Sequence, residues 1–118
     1  MARIVAFVPD LLFGSNVAGA LGAAGHQTVL AGDDQALTRE LPGAALLVVD
    51  LTADPDERIE QARRHREPGV PVLAFYSHVE TDVRDRAEAA GFELVVPRSR
   101  MAREGASLVE RLLGSRGQ

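Results

Sequence analysis

The sequence contains no cysteine and no lysine, and all 13 of its basic residues are arginine. Without cysteine, the chain can form no disulfide and no thiolate centre, which is typical of a cytoplasmic protein. Without lysine, it has no side-chain ammonium group for catalysis or for phosphate binding, and a guanidinium differs from an ammonium in shape and hydration. The abundance of alanine and glycine beside arginine is the composition expected of a GC-rich genome.

Long apolar runs and basic or aromatic surfaces are also missing. No apolar run approaches the roughly 20 residues that a transmembrane helix needs, and Pro9 and Asp10 stop the N-terminal apolar stretch before it resembles a signal peptide. The net charge is −4 and aromatic residues make up 4% of the chain, so we expect neither general nucleic-acid binding nor base stacking. These observations predict a cytoplasmic protein that binds no membrane and no nucleic acid.

Five apolar runs of strand length alternate with segments of helical period. Such alternation predicts an α/β domain whose parallel sheet is covered by helices on both faces. We therefore predict one domain over residues 1–118, with a flavodoxin-like, doubly wound sheet of five strands in the order 2-1-3-4-5 and with five helices. A frayed tail is expected over residues 114–118. The expected strands cover residues 4–8, 28–30, 45–49, 70–76 and 94–96.

Several polar and charged residues follow directly on the predicted strands. Because the carboxyl ends of parallel strands meet at one edge of a sheet, we expect these side chains to lie together where open α/β folds bind ligands. Asp50 is the clearest case, since it ends an apolar run, residues 44–49, that has the composition of a strand buried on both faces. The full set is Asp10 after strand 1, Asp50 and Thr52 after strand 3, Tyr76, Ser77 and His78 after strand 4, and Arg98, Ser99 and Arg100 after strand 5.

Three segments of the sequence resemble the response-regulator receiver domain. Residues 70–77 are similar to the family's fourth strand, with Pro71 at its start, and residues 89–92 are similar to the Ala-Gly-Ala that precedes its fifth strand. Residues 47–50 match the strand that carries the phospho-acceptor, which places Asp50 at the acceptor position. The resemblance covers nearly the whole chain and implies the receiver fold and a role in two-component, phosphorelay signalling.

The functional residues of the family carry over only in part. Receivers hold a magnesium ion with an acidic pair after strand 1, and one member of that pair is Pro9 here, which leaves Asp10. The threonine or serine that the family has after strand 4 falls on Tyr76, with Ser77 one position later. The family's lysine falls on Pro97.

These replacements bear on the chemistry that the resemblance implies. Phosphoryl transfer to a carboxylate requires that magnesium and a fixed cation neutralise the transferring oxygens. Magnesium needs several oxygen ligands in octahedral geometry, and the chain offers only Asp10 and Asp50, completed by waters. Arg98 lies one position after the family's lysine, but its guanidinium is a planar donor that differs from an ammonium. We therefore expect no resident cofactor and no ordinary phosphorylation. Magnesium at Asp10 and Asp50, with Asp50 as phospho-acceptor, is the alternative.

Each of these residues also has a purely structural interpretation. Asp50 alternatively caps the loop that follows its strand, and Asp10 caps the first helix. Ser77 has the Ser-x-x-Glu spacing of a capping box at the start of the fourth helix, and His78 is alternatively an exposed side chain. The pair Asp54-Pro55 predicts the cap and the first residue of the third helix.

The leading hypothesis is a stand-alone, atypical receiver, or pseudo-receiver, that acts as a signalling or interaction module and not as an enzyme. Sequence motifs of hydrolases and of dinucleotide-binding oxidoreductases are absent. Because no output domain follows the last helix, we expect output through a protein partner or self-association on the face formed by the fourth helix, fifth strand and fifth helix. Its mixed charges suit a symmetric dimer. This face contains Arg84, Glu88, Arg103, Glu110 and Arg111.

A small-ligand site is the second hypothesis. Arg98 and Arg100 lie between the last strand and the last helix, where guanidinium groups and a helix N-terminus bind anions. Together with Tyr76 and Ser77 they would hold a small anion or a nucleotide in the crevice at the strand ends. The two arginines alternatively extend into solvent.

Overall fold

The computed structural model describes residues 2–77 and 79–116, without the side chains of residues 115 and 116. Strands and helices alternate along this part of the chain, and none of its helices is long and apolar enough to cross a bilayer. The strands are β1 (Arg3–Phe7), β2 (Gln27–Ala31), β3 (Leu46–Asp50), β4 (Val72–Tyr76) and β5 (Leu94–Pro97). The helices are α1 (Leu11–Ala23), α2 (Asp34–Glu40), α3 (Pro55–His65), α4 (Thr81–Ala89) and α5 (Arg98–Arg116).

The five strands form one parallel sheet in the order β2-β1-β3-β4-β5. The predicted fold class and strand order are therefore confirmed. β1 and β3 are neighbours, with Phe7 beside Val49, so the loops that follow these two strands emerge side by side. At the other side of β3, Tyr76 at the end of β4 lies beside Pro97 at the end of β5.

The sheet separates two apolar layers. On one face, α1 and α5 bury side chains such as Phe13 and Leu108 against the strands. On the other face, α2, α3 and α4 contribute Leu37, Ile59 and Val83. Burial of apolar surface on both faces explains why the central strands consist almost wholly of aliphatic residues.

The alternation of side chains along a strand decides which face each site residue occupies. In β3, Val48 packs in the α1–α5 layer, so Asp50, two residues later, belongs to the same face. In β4, Ala74 and Tyr76 pack in the layer of α2, α3 and α4. Asp50 and Tyr76 therefore lie on opposite faces of the sheet, although β3 and β4, the strands that they end, are neighbours.

The structure gives the ends of three helices in more detail than the sequence does. α5 reaches Arg116, and because residues 117 and 118 lie outside the described residues, the frayed tail over residues 114–118 stays a prediction. Asp54 precedes α3 in the left-handed region (φ 48°, ψ 52°) and makes no side-chain cap hydrogen bond, although Pro55 does open the helix. α4 begins at Thr81 because the Ser77 carbonyl accepts the Glu80 N–H in a separate turn (2.8 Å). The predicted capping box is therefore wrong.

Candidate functional site

A crevice opens at the carboxyl ends of the strands, on the α1–α5 face of the sheet. Its volume of about 570 Å³ lies within the range of about 300–1,000 Å³ that is usual for small-molecule sites. The start of α1, the loop after β3, the loop after β4 and the first turn of α5 enclose it. The lining residues are Phe13, Thr52, Ser77, Glu80, Arg98, Ser99 and Ala102.

Asp50 lies at the end of β3 and is 5% exposed. Its Oδ1 atom accepts two hydrogen bonds from Thr52, one from the backbone N–H at 2.8 Å and one from the hydroxyl at 2.5 Å. This arrangement ties the first residues of the β3–α3 loop back to the strand end, as short polar side chains do in turns. Asp50 therefore caps the loop that follows β3, as its structural interpretation proposed.

Asp10 follows β1 and caps α1, as its structural interpretation predicted. Its Oδ1 atom accepts the backbone N–H of Phe13 at 3.0 Å, which satisfies one of the free amides at the helix start. Its other oxygen, Oδ2, lies 3.9 Å from the Nη2 atom of Arg98. Asp10 thus connects the start of α1 to the start of α5.

Arg98 is the first residue of α5 and lies beside Asp10 at the mouth of the crevice. Its guanidinium carbon is 4.4 Å from the centre of the Phe13 ring, the geometry of a cation–π contact. The Phe13 ring in turn packs on Phe75 of β4, with 4.9 Å between ring centres and a tilt of 43°. A stack of two buried aromatic rings therefore supports a guanidinium group at the mouth of the crevice.

Arg100 does not join Arg98 in the crevice. Its Nε atom pairs with the Glu104 carboxylate one turn along α5, at 3.5 Å. Because α5 already begins at Arg98, the two arginines are separated by about 200° around the helix axis. The structure therefore brings Arg98 together with Ser77, which also lines the crevice, and directs Arg100 along the helix surface.

The residues after β4 divide between the two faces of the sheet. Tyr76 is 4% exposed and packs among the apolar side chains on the α4 side, away from the crevice. The Glu88 carboxylate, and to a smaller extent the Tyr76 hydroxyl, raise the pKa of the Arg84 guanidinium on α4. Ser77 is on the crevice side, and His78 lies outside the described residues. Tyr76 is thus a core residue and not part of the crevice rim.

The residues at the strand ends do not fit a resident magnesium ion. Within residues 2–77 and 79–116, no three carboxylates or imidazoles are grouped closely enough to hold a metal. One oxygen of Asp50 is bonded by Thr52 and one oxygen of Asp10 by the Phe13 amide. The remaining oxygen of Asp10 faces the positive charge of Arg98, which repels a divalent cation.

Sequence reasoning missed Phe13 and Glu80 as parts of this site, and it placed Thr52 at the end of strand 3 without its contact to Asp50. The position of Phe13 in the site could have been found from its spacing. It lies three residues after the cap Asp10 and on the same buried face of α1 as Val17. The signal for Thr52 is its spacing from Asp50, because a hydroxyl two residues away is well placed to bond a carboxylate in a turn. Glu80 carries no local signal, since its position depends on the turn that precedes α4.

No protein-family model matches the sequence, and no curated protein matches it. Solved structures do match. NtrX from Brucella abortus in complex with ADP aligns with a TM-score of 0.85 and 20% identity, over 98% of this chain and 27% of that one. The receiver domain of the Francisella response regulator 1452 aligns with a TM-score of 0.82 and 13% identity, over 98% of both chains.

Full-length FixJ from B. japonicum aligns with a TM-score of 0.79 and 18% identity, over 98% of this chain and 59% of that one. The chain therefore spans about a quarter of NtrX and somewhat over half of FixJ. All three alignments extend over nearly the whole of this chain, which has the receiver-domain fold.

Proposed function

We propose that this chain is an atypical receiver domain that acts as a non-enzymatic signalling module and is not phosphorylated in the ordinary way. The observation that carries the proposal is the composition of the crevice. The receiver fold is complete, but Pro97 occupies the position that the resemblance assigns to lysine. The cation that is present, Arg98, is supported by Phe13 and faces Asp10.

Phosphorylation of Asp50 depends on the charge beside its carboxylate. A phosphoryl group that moves to Asp50 needs cations fixed beside its oxygens during the transfer. The Arg98 guanidinium is held above the Phe13 ring, and Oδ1, one of the two Asp50 carboxylate oxygens, accepts two hydrogen bonds from Thr52. Both features disfavour phosphoryl transfer to Asp50, and the output that we propose is therefore contact with a protein partner.

The anion-binding alternative has less support from the same geometry. Arg100 is directed away from the crevice and paired with Glu104. Glu80 lines the crevice, and Asp10 lies at its rim beside Arg98. An anionic ligand would therefore meet carboxylates as well as the guanidinium, and their repulsion would oppose its binding.

For the contact surface we propose the face formed by α4, β5 and α5. Arg84 and Glu88 form an ion pair on α4 (3.3 Å), and Arg103 and Arg111 are exposed on α5. Glu110, which the sequence assigned to this face, instead contacts His26 at the start of β2. β2 is at the opposite edge of the sheet from β5, so Glu110 is excluded from the proposed face. Arg103 is excluded with it, because it lies seven residues earlier on α5 and about 20° from Glu110 around the helix axis.

A symmetric dimer through this face should be weakened by charge reversal. We expect sedimentation velocity to show reversible self-association at low salt that decreases at high salt, because exposed ion pairs are screened. The double change Arg84→Glu and Arg111→Glu should raise the dimer Kd by about 5- to 20-fold, since exposed pairs contribute about 0.2–1 kcal/mol and each change acts twice across a twofold axis.

The control is Arg39→Glu, which makes one of the same charge reversals, half the total change of the double variant, on α2, where the Arg39 side chain is 65% exposed. This variant should associate as the native chain does. A native chain that stays monomeric at all concentrations would exclude self-association, and equal loss in the Arg39 variant would show a general charge effect and not this face.

A further inference from the structure

At the strand ends, where the receiver resemblance implies a divalent cation, this chain carries the guanidinium group of Arg98. Arg98 emerges where β5 ends, and the pairing of Pro97 with Tyr76 fixes that point relative to the sheet. From there the guanidinium lies over Phe13 and 3.9 Å from Oδ2 of Asp10. The side chain is 48% exposed, yet both contacts hold it toward the strand ends.

The capping role of Asp10 does not account for this arrangement. Capping uses Oδ1 and the Phe13 amide, whereas Arg98 approaches the other oxygen, Oδ2. That second oxygen is the one available to a metal ion. A divalent cation bound to it would stand within several ångströms of the guanidinium, and Coulomb repulsion at that distance weakens binding by about tenfold or more, even in a dielectric close to that of water.

We propose that Arg98 is a built-in cation that takes the place of a divalent metal at the strand ends and keeps magnesium from the carboxylates of Asp10 and Asp50. Arg98 then supplies a permanent positive charge beside these carboxylates, and the crevice does not respond to the metal concentration. This inference rests on the proposed function, in which the crevice performs no phosphoryl transfer, and it names the residue that makes the difference.

The test is the response of thermal stability to magnesium in the native chain and in Arg98→Ala. At constant ionic strength, 0–20 mM magnesium chloride should shift the native Tm by less than about 1 °C. In Arg98→Ala, a site of low-millimolar Kd at Asp10 and Asp50 should raise the Tm by about 3–5 °C at the highest concentration, because only the folded state binds the ion.

Three further variants make the result specific. Arg98→Gln retains the length of the side chain without its charge, and it should respond as Arg98→Ala does even if loss of the contact with Phe13 destabilises the alanine variant. Arg103→Ala removes the same charge from an exposed position of α5 (67% exposed) and should stay unresponsive. Asp10→Asn added to Arg98→Ala should abolish the gain.

Two outcomes would overturn the inference. The native chain could gain as much from magnesium as Arg98→Ala does, which would show that Arg98 does not exclude the metal. Alternatively, neither Arg98 variant could gain, which would show that the carboxylates are not competent without the arginine. Failure of the proposed function would be observed in a different experiment. It would be seen as covalent phosphorylation of Asp50 in the native chain, which a magnesium titration does not measure.

Discussion

Phe75→Ala should lower the free energy of unfolding by about 3–5 kcal/mol, the range for truncation of a buried phenylalanine. Phe75 is 0% exposed and packs against Phe13 of α1, so its removal leaves a cavity between the sheet and that helix. The loss is a large fraction of the roughly 5–15 kcal/mol that stabilises a typical domain. Because Phe13 also supports Arg98, the change should loosen the floor of the crevice.

Urea denaturation followed by far-UV circular dichroism measures this loss as a lower midpoint with an unchanged slope. Leu12→Ala is the control. Leu12 is an apolar residue of the first turn of α1, next to Phe13, but its side chain is 74% exposed. Its effect should stay within about 0.5 kcal/mol. A loss below about 1 kcal/mol for Phe75→Ala would contradict the packing described for β4 and α1.

Thr52→Val should lower the free energy of unfolding by about 1.5–3 kcal/mol, the range for a hydrogen bond to a charged group. The substitution keeps the shape of the side chain and removes the hydroxyl that donates to Asp50 Oδ1 at 2.5 Å. Asp50 is almost fully buried, so water cannot readily replace the lost donor. The remaining bond would come from the backbone N–H of residue 52.

A double-mutant cycle with Asp50→Asn assigns this loss to the proposed contact. The interaction energy between the two positions should reach about 1 kcal/mol or more, as is usual for residues in one hydrogen-bond network. Thr52→Ser, which retains the hydroxyl, should recover most of the stability of the native chain. If Thr52→Val were neutral, Asp50 would have to be solvated or bonded by another donor, and the description of the acceptor would be wrong.

The fold could be predicted because its signals are local and repeated. Each strand is an apolar run and each helix has an apolar face, so the number, type and order of elements follow from periodicity. The right-handed crossover rule then leaves few sheet orders, and the observed order is the predicted one. The cap Asp10 was predictable for the same reason, since it depends only on the residues beside it.

The site was less predictable because it depends on boundaries that differ by a few residues. Arg98 and Arg100 were expected to precede α5, but both are helical, so they point in different directions. Ser77 was expected to open α4, but a separate turn precedes that helix. Tyr76 lies two residues after Ala74 in β4 and therefore on the same face of the sheet. Which helices cover that face is known only from the structure.

Labelling with acetyl phosphate and magnesium, followed by intact mass spectrometry, tests most directly whether this receiver fold lacks phospho-acceptor chemistry. A receiver with the lysine and the acidic pair, treated in parallel, controls for the activity of the reagent. The native chain should show little or no phosphoryl adduct, because Pro97 replaces the lysine and Arg98 faces Asp10. A stoichiometric adduct on the native chain that disappears in Asp50→Asn would contradict the account.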